Sequence, residues 1–143
     1  MVAIEFEDVF GPCVVTALSA YQMGVFQRKV GKARKKFKVA PPTTLGENVD
    51  EGFIRVFRAH QNCVETYTVF LGSLWSCSLL WHQVPASLVG IVYMFGRAKY
   101  FRDYSIAADR RMSGFKLSIG SIAMLGIGSM VGCGLKLFRY FKK

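Results

Sequence analysis

Charged residues vanish from three stretches of the chain, Val9–Gln27, Thr66–Gly96 and Leu117–Leu135. The first and third run for 19 positions and the second for 31. A helix of 19 residues is about 28 Å long, close to the hydrocarbon thickness of a bilayer. The second stretch is too long for one comfortable crossing. It carries His82-Gln83-Val84-Pro85 near its middle, which reads as a tight turn with proline at the next helix start. The pattern predicts four transmembrane helices, at about 9–39, 53–81, 85–108 and 112–139, in a single membrane domain spanning 1–143. The fold class is an all-α membrane four-helix bundle. Pro41-Pro42, with Gly46 and Gly52 around Glu47, Asp50 and Glu51, punctuates the only segment that reads as loop.

Composition sharpens this picture. Hydrophobic residues make up 52% of the 143 residues and mean hydropathy is +0.28, which excludes disorder. Yet 19 Lys and Arg oppose 9 Asp and Glu, a formal charge of +10. On a soluble chain that surplus would suggest nucleic acid; here the basic residues are segregated from the apolar ones, and no nucleic-acid partner is expected. A cleaved signal peptide fits badly, because Glu5, Glu7 and Asp8 stand where a basic start belongs. Fifteen of the 19 basic residues flank helix 1–helix 2 and helix 3–helix 4 connections, and the His82 turn holds none. That bias places the two basic connections in the cytosol and both termini on the lumenal side. A tail of Lys136, Arg139, Lys142 and Lys143 closes the chain.

Four cysteines share no disulfide or metal-ligand spacing. Cys13, Cys77 and Cys133 fall within apolar spans and Cys63 sits early in helix 2, so all four read as small buried hydrophobes. No metal is expected.

Polar residues at the ends of the apolar spans are more informative. Arg55, Arg58, Asn62 and Glu65 recur at +3, +4 and +3, one face of a helix. Arg97, Tyr100 and Tyr104 share a face of helix 3, and Arg111 follows. Interfacial anchoring accounts for such Arg, Lys and Tyr residues, notably Lys35, Lys36, Lys99 and Lys116. It accounts less well for Asn62 and Glu65, since an ionisable group entering an apolar span needs a partner or a cavity. The alternative is a site for a small zwitterionic ligand. Arginines would hold its carboxylates, Glu65 its ammonium, and Asn62 and the tyrosines its amides.

These residues resemble the MAPEG family, the membrane-associated proteins in eicosanoid and glutathione metabolism. The matching pieces are Val30-Gly-Lys-Ala-Arg34, Pro41-Pro42, Arg55-Val-Phe-Arg58-Ala-His60-Gln-Asn62-Cys-Val-Glu65, Arg97-Ala-Lys-Tyr100-Phe101, Tyr104 and Arg111-Met-Ser-Gly-Phe. They cover nearly the whole chain and are most similar to the branch of glutathione transferases and leukotriene C4 synthases. The resemblance implies a homotrimer in endoplasmic-reticulum and nuclear-envelope membrane. Glutathione would be the co-substrate, bound between subunits near the cytosolic surface. A lipophilic electrophile or lipid hydroperoxide would approach from the surrounding membrane lipid.

By motif, Arg58, Asn62, Glu65, Tyr100 and Tyr104 match glutathione-binding positions. Arg34 and His60 match positions that reach glutathione from the adjacent subunit, the latter usually Gln. Arg97 matches a supporting basic position. Arg111 matches the arginine facing the sulfur and is the expected catalytic residue. Three departures stand out: Thr66 replaces a usual aromatic, Thr68 a frequent Pro and Ile54 a common Glu. The implied activity is conjugation to lipophilic electrophiles through an arginine-stabilised thiolate, with leukotriene C4 synthase (a lyase) and peroxidase activities as variants. Lys35 is a possible proton donor to an opened epoxide, set against its role as an anchor. The rival reading is a non-catalytic lipid-binding scaffold of the same family, which Val84-Pro85-Ala86 resembles; Arg111 favours the enzyme. A third is a small channel or structural membrane protein, for which glutathione binding is not expected.

Overall fold

The computed structural model describes residues 6–142, so Glu5 and Lys143 of the sequence argument lie outside the described residues. Four helices follow one another: α1 Phe6–Phe37, α2 Glu51–Leu80, α3 Gln83–Ile106 and α4 Met112–Phe141, with a 3-10 turn Ala108–Arg111 leading into α4. The described residues contain no strand. α2 and α3 lie between α1 and α4, each packing on both.

The helix ends have local causes. α1 stops at Phe37 because Lys38 turns to a left-handed φ of 57° and Val39 N–H bonds back to Arg34 O at 3.0 Å. Asp50 caps α2, its Oδ1 accepting from Gly52 N–H at 2.7 Å. The connection between α2 and α3 is tighter than the expected four-residue turn: only Trp81 and His82 separate the helices. His82 Nδ1 accepts from Val84 N–H at 3.2 Å, so α3 begins ahead of Pro85, and proline is tolerated in a first turn.

α4 packs through small side chains. Its buried positions are Gly114, Ser118, Ser121, Leu125, Gly128 and Gly132, a 4-3-4-3-4 spacing that forms a single stripe. A Cβ on Gly132 would sit 2.5 Å from Leu80 O of α2, so the two backbones approach to a distance only glycine permits. α1 is tied to the bundle by polar contacts. Gln22 Nε2 donates to Met94 O at 3.0 Å, and Trp75 Nε1 donates to Thr16 Oγ1 at 3.2 Å. Each satisfies a polar group away from water.

The outward surface is apolar: Leu18, Leu88, Phe95, Met124, Ile127 and Met130 are all exposed. A surface of that kind suits hydrocarbon or another subunit, not water. Two helical segments, Val9–Phe37 and Ala108–Phe141, are long and apolar enough to cross a membrane. Four spans were expected from the charge pattern. α2 and α3 fall short on composition because they carry the Arg58–Glu65 and Arg97–Asp103 polar groups within their helical length. Cys63 and Cys77 are buried as expected, but Cys13 and Cys133 are exposed on the outer faces of α1 and α4. An apolar medium outside the bundle removes the need to bury them.

Candidate functional site

A cluster of buried side chains from α1, α2 and α3 fixes the scaffold. Phe26 of α1 stacks on Phe101 of α3 at 4.4 Å between centroids, beside Ala59, Cys63 and Tyr100. At the end of α3 the 3-10 turn reverses the chain. Gly114 lets the start of α4 lie against the Tyr100 backbone, where a Cβ would collide. Phe115 and Arg111 are thereby brought over the tyrosines: Arg111 Cζ lies 5.0 Å above the Tyr104 ring and Phe115 lies 6.3 Å from Tyr100. The two tyrosines meet edge to face at 5.6 Å.

A cavity of about 450 Å³ opens here, lined by Arg58, Gln61, Asn62 and Glu65 of α2, Tyr100 and Tyr104 of α3, Arg111, Met112 and Phe115. Six residues singled out in the sequence thus converge: Arg58, Asn62, Glu65, Tyr100, Tyr104 and Arg111. Two guanidiniums oppose one carboxylate, a net lining charge of +1. The cavity also gains Gln61, which motif reasoning passed over. Its Nε2 donates to Glu65 Oε1 at 3.2 Å, a contact that its i, i+4 spacing could have flagged.

Arg97 lies beneath the cavity and does not line it. It is 1% exposed, and its Nη2 donates to both Asn62 O at 2.9 Å and Asn62 Oδ1 at 2.8 Å. Its guanidinium carbon lies 4.7 Å from the Tyr100 ring centre and 5.9 Å from that of Tyr93. Aromatic faces thus cushion a cation with no carboxylate partner among the described residues. Just beyond, at the basic end of α3, Lys99 Nζ and Arg102 Nε each donate to Asp103 at 2.9 Å.

Arg34 and His60 are not brought to this cavity. Arg34 Nη1 donates to Thr43 O at 2.7 Å and its guanidinium covers the Phe53 ring at 4.9 Å, pinning the loop after α1. His60 is about 200° around α2 from both Arg58 and Asn62. Arg55, which shares the Asn62 face by spacing, is also absent: it pairs with Glu51 at 3.6 Å and lines a separate concavity toward α1. Thr66, where an aromatic was usual, turns to α3 instead. Its Oγ1 lies 3.0 Å from Asn62 O and 3.4 Å from Tyr93 Oη. Among the described residues no group of three or more His, Cys, Asp or Glu could hold a metal ion.

The sequence matches the MAPEG family over residues 12–131, which includes every residue of the cavity. The chain belongs to the MAPEG family. This MAPEG protein is similar to microsomal glutathione S-transferase 2 of Homo sapiens, with 47% identity over 118 residues, 82% of this chain and 78% of the relative. The Bos taurus protein of that name is 44% identical over 82% of this chain and 79% of its own length. Leukotriene C4 synthase of Bos taurus is 35% identical over 78% of this chain and 72% of its own length. Family membership, two helices able to cross a bilayer and an apolar outer surface make this MAPEG chain a membrane protein.

Proposed function

We propose that the protein is a membrane-bound glutathione transferase that conjugates glutathione to lipophilic electrophiles. The observation that carries this is the convergence, in one cavity, of Arg58, Arg111, Glu65, Asn62, Tyr100 and Tyr104. Glutathione brings two carboxylates, one ammonium, two amides and a thiol. Two guanidiniums, one carboxylate, an amide and two phenols are the complementary inventory. The names of the relatives agree with this reading.

The reacting species is the thiolate, because a free thiol with a pKa near 8.5 is mostly protonated at neutral pH. Arg111 is the residue assigned to stabilise it, since a guanidinium remains charged in a poorly hydrated site. Its seat over the Tyr104 ring fixes that charge at the cavity wall. With an epoxide such as that of leukotriene A, the sulfur attacks carbon, the C–O bond breaks and the alkoxide takes a proton. With a lipid hydroperoxide the same thiolate opens the O–O bond, and two glutathiones end as a disulfide with release of alcohol and water. Arg58 and Glu65 orient the tripeptide termini, and Asn62 and the tyrosines its amides. Arg97 supports Asn62 from below.

Arg34 and His60 take part from an adjacent subunit in this reading, which requires a homotrimer. Neither lines the cavity of its own subunit. The basic end faces the cytosol of the endoplasmic reticulum and nuclear envelope, with both termini lumenal.

Mass-spectrometric product analysis tests the proposal. Purified protein is supplied with glutathione and, separately, leukotriene A, a lipid hydroperoxide and an aryl halide. A glutathione conjugate in at least one arm is the expected result. No product in any arm, with fatty-acid binding retained, would replace the enzyme by a lipid-binding scaffold.

A further inference from the structure

A second polar concavity, about 350 Å³, lies between the end of α1, the start of α2 and the end of α3. Its charged lining is entirely cationic: Lys29, Lys32 and Lys36 from α1 and Arg55 from α2, with Ser105 of α3. The three lysines follow at +3 and +4, so one face of α1 presents all of them to the same space. No carboxylate lines it. The nearest acidic contact is Glu51, itself 91% exposed, which reaches Arg55 Nη1 at 3.6 Å. That leaves a surplus of three positive charges. Among the described residues none of the three lysines pairs with a carboxylate. Lys29 and Lys36 rest instead near the rings of Phe101 and Phe37, at 5.3 and 5.1 Å. Arg55 Nε is buried with no hydrogen-bond partner, and a buried unmet donor beside unpaired cations is costly until an acceptor arrives.

We infer that this concavity binds a lipid headgroup carrying phosphomonoesters. Ordinary anchoring lysines splay outward to separate headgroups. Here four cations from two helices line one open concavity of small-ligand size. A single phosphomonoester carries a charge of about −1.5 to −2, so one multiply phosphorylated headgroup matches the surplus, whereas a singly charged headgroup does not. The site lies at the basic end of the helices, beyond the charge-free part of α1 that stops at Gln27. Lipid headgroups are found at that level, and basic pockets between membrane helices are the form such recognition takes. The apolar outer surface of the adjoining helices receives the acyl chains. None of its residues lines the cavity of Arg58 and Arg111, so the inference stands whether or not that cavity is a glutathione site.

The test uses the full chain in a neutral detergent, with thermal unfolding as the readout. The probes are short-chain phosphatidylinositol bisphosphate, short-chain phosphatidylserine at matched total charge, soluble inositol trisphosphate and inorganic phosphate. We expect the bisphosphate lipid to raise Tm by about 3 °C or more at saturation. Phosphatidylserine at equal charge should give less than a third of that shift. The K29Q/K32Q/K36Q variant should lose it and Arg111→Ala should keep it. Soluble inositol trisphosphate acting as well supports headgroup recognition; the lipid acting alone supports a site that also needs the chains. An equal response to phosphatidylserine, a shift surviving the triple variant, a shift lost with Arg111→Ala, or a response to inorganic phosphate without one to the lipid would each overturn the inference. Should the triple variant unfold, Lys32→Gln alone must at least halve the apparent affinity.

Discussion

Arg97 grips Asn62 twice, through the backbone carbonyl at 2.9 Å and the side-chain oxygen at 2.8 Å, both from one guanidinium nitrogen. Arg97 itself is buried under the cavity that Asn62 lines. Accepting from Arg97 fixes the amide oxygen inward, which leaves the Asn62 NH₂ as the group free to face a ligand. The arginine thereby decides which hydrogen-bond character the cavity shows.

Replacing Arg97 tests that coupling. Arg97→Met removes two charge-assisted bonds of about 1.5–3 kcal/mol each in cost of loss and lets the Asn62 amide rotate. Glutathione affinity, measured by calorimetry, should fall about tenfold, equivalent to about 1.4 kcal/mol. Arg97→Lys retains the charge but loses the planar guanidinium that lies against the Tyr100 and Tyr93 rings, and should restore only part of the loss.

Arg111 and Glu65 should separate chemistry from binding. In Arg111→Ala the ultraviolet thiolate absorbance of bound glutathione should disappear at neutral pH and kcat should fall at least tenfold. Each unit by which the thiol pKa rises corresponds to about 1.4 kcal/mol. Glu65→Gln should weaken glutathione binding while leaving the thiolate fraction of the bound molecule unchanged. Wild-type absorbance and turnover in Arg111→Ala would remove that residue from the reaction.

Two glycines of α4 should respond in opposite directions. Gly114→Val places methyl groups into the Tyr100 backbone and should destabilise by about 1–3 kcal/mol, displacing a cavity wall with it. Gly126→Ala meets nothing within 4 Å and improves helix propensity, so thermal stability should hold or rise by up to about 1 kcal/mol. Thermal unfolding in detergent, with glutathione affinity in parallel, distinguishes the two.

Much of this arrangement was legible in the chain because it is local. Arg58, Asn62 and Glu65 share a helix face by spacing alone, and Tyr100 and Tyr104 do the same on α3. Spacing misled at Arg55: it belongs to the same face, but one turn earlier its neighbours are α1 and Glu51, so it serves a different concavity. It also could not show that Arg97 lies under the site. Helical periodicity gives direction around an axis, not depth beneath a neighbouring helix. The outward cysteines Cys13 and Cys133 were misplaced for a related reason, since an apolar run exposed to an apolar surround has no obligatory inside.

The number of helices, the clustering of most basic residues in two connections and the family motif can all be read along the chain, because charge exclusion from a bilayer and helical spacing are written residue by residue. Packing between helices is what sets Arg111, across the 3-10 turn, over Tyr104, admits α4 against Tyr100 at Gly114, and brings Lys29, Lys32 and Lys36 to the same concavity as Arg55. Those relationships depend on how closely separate helices approach, which is set by the small side chains between them and not by any one segment's pattern.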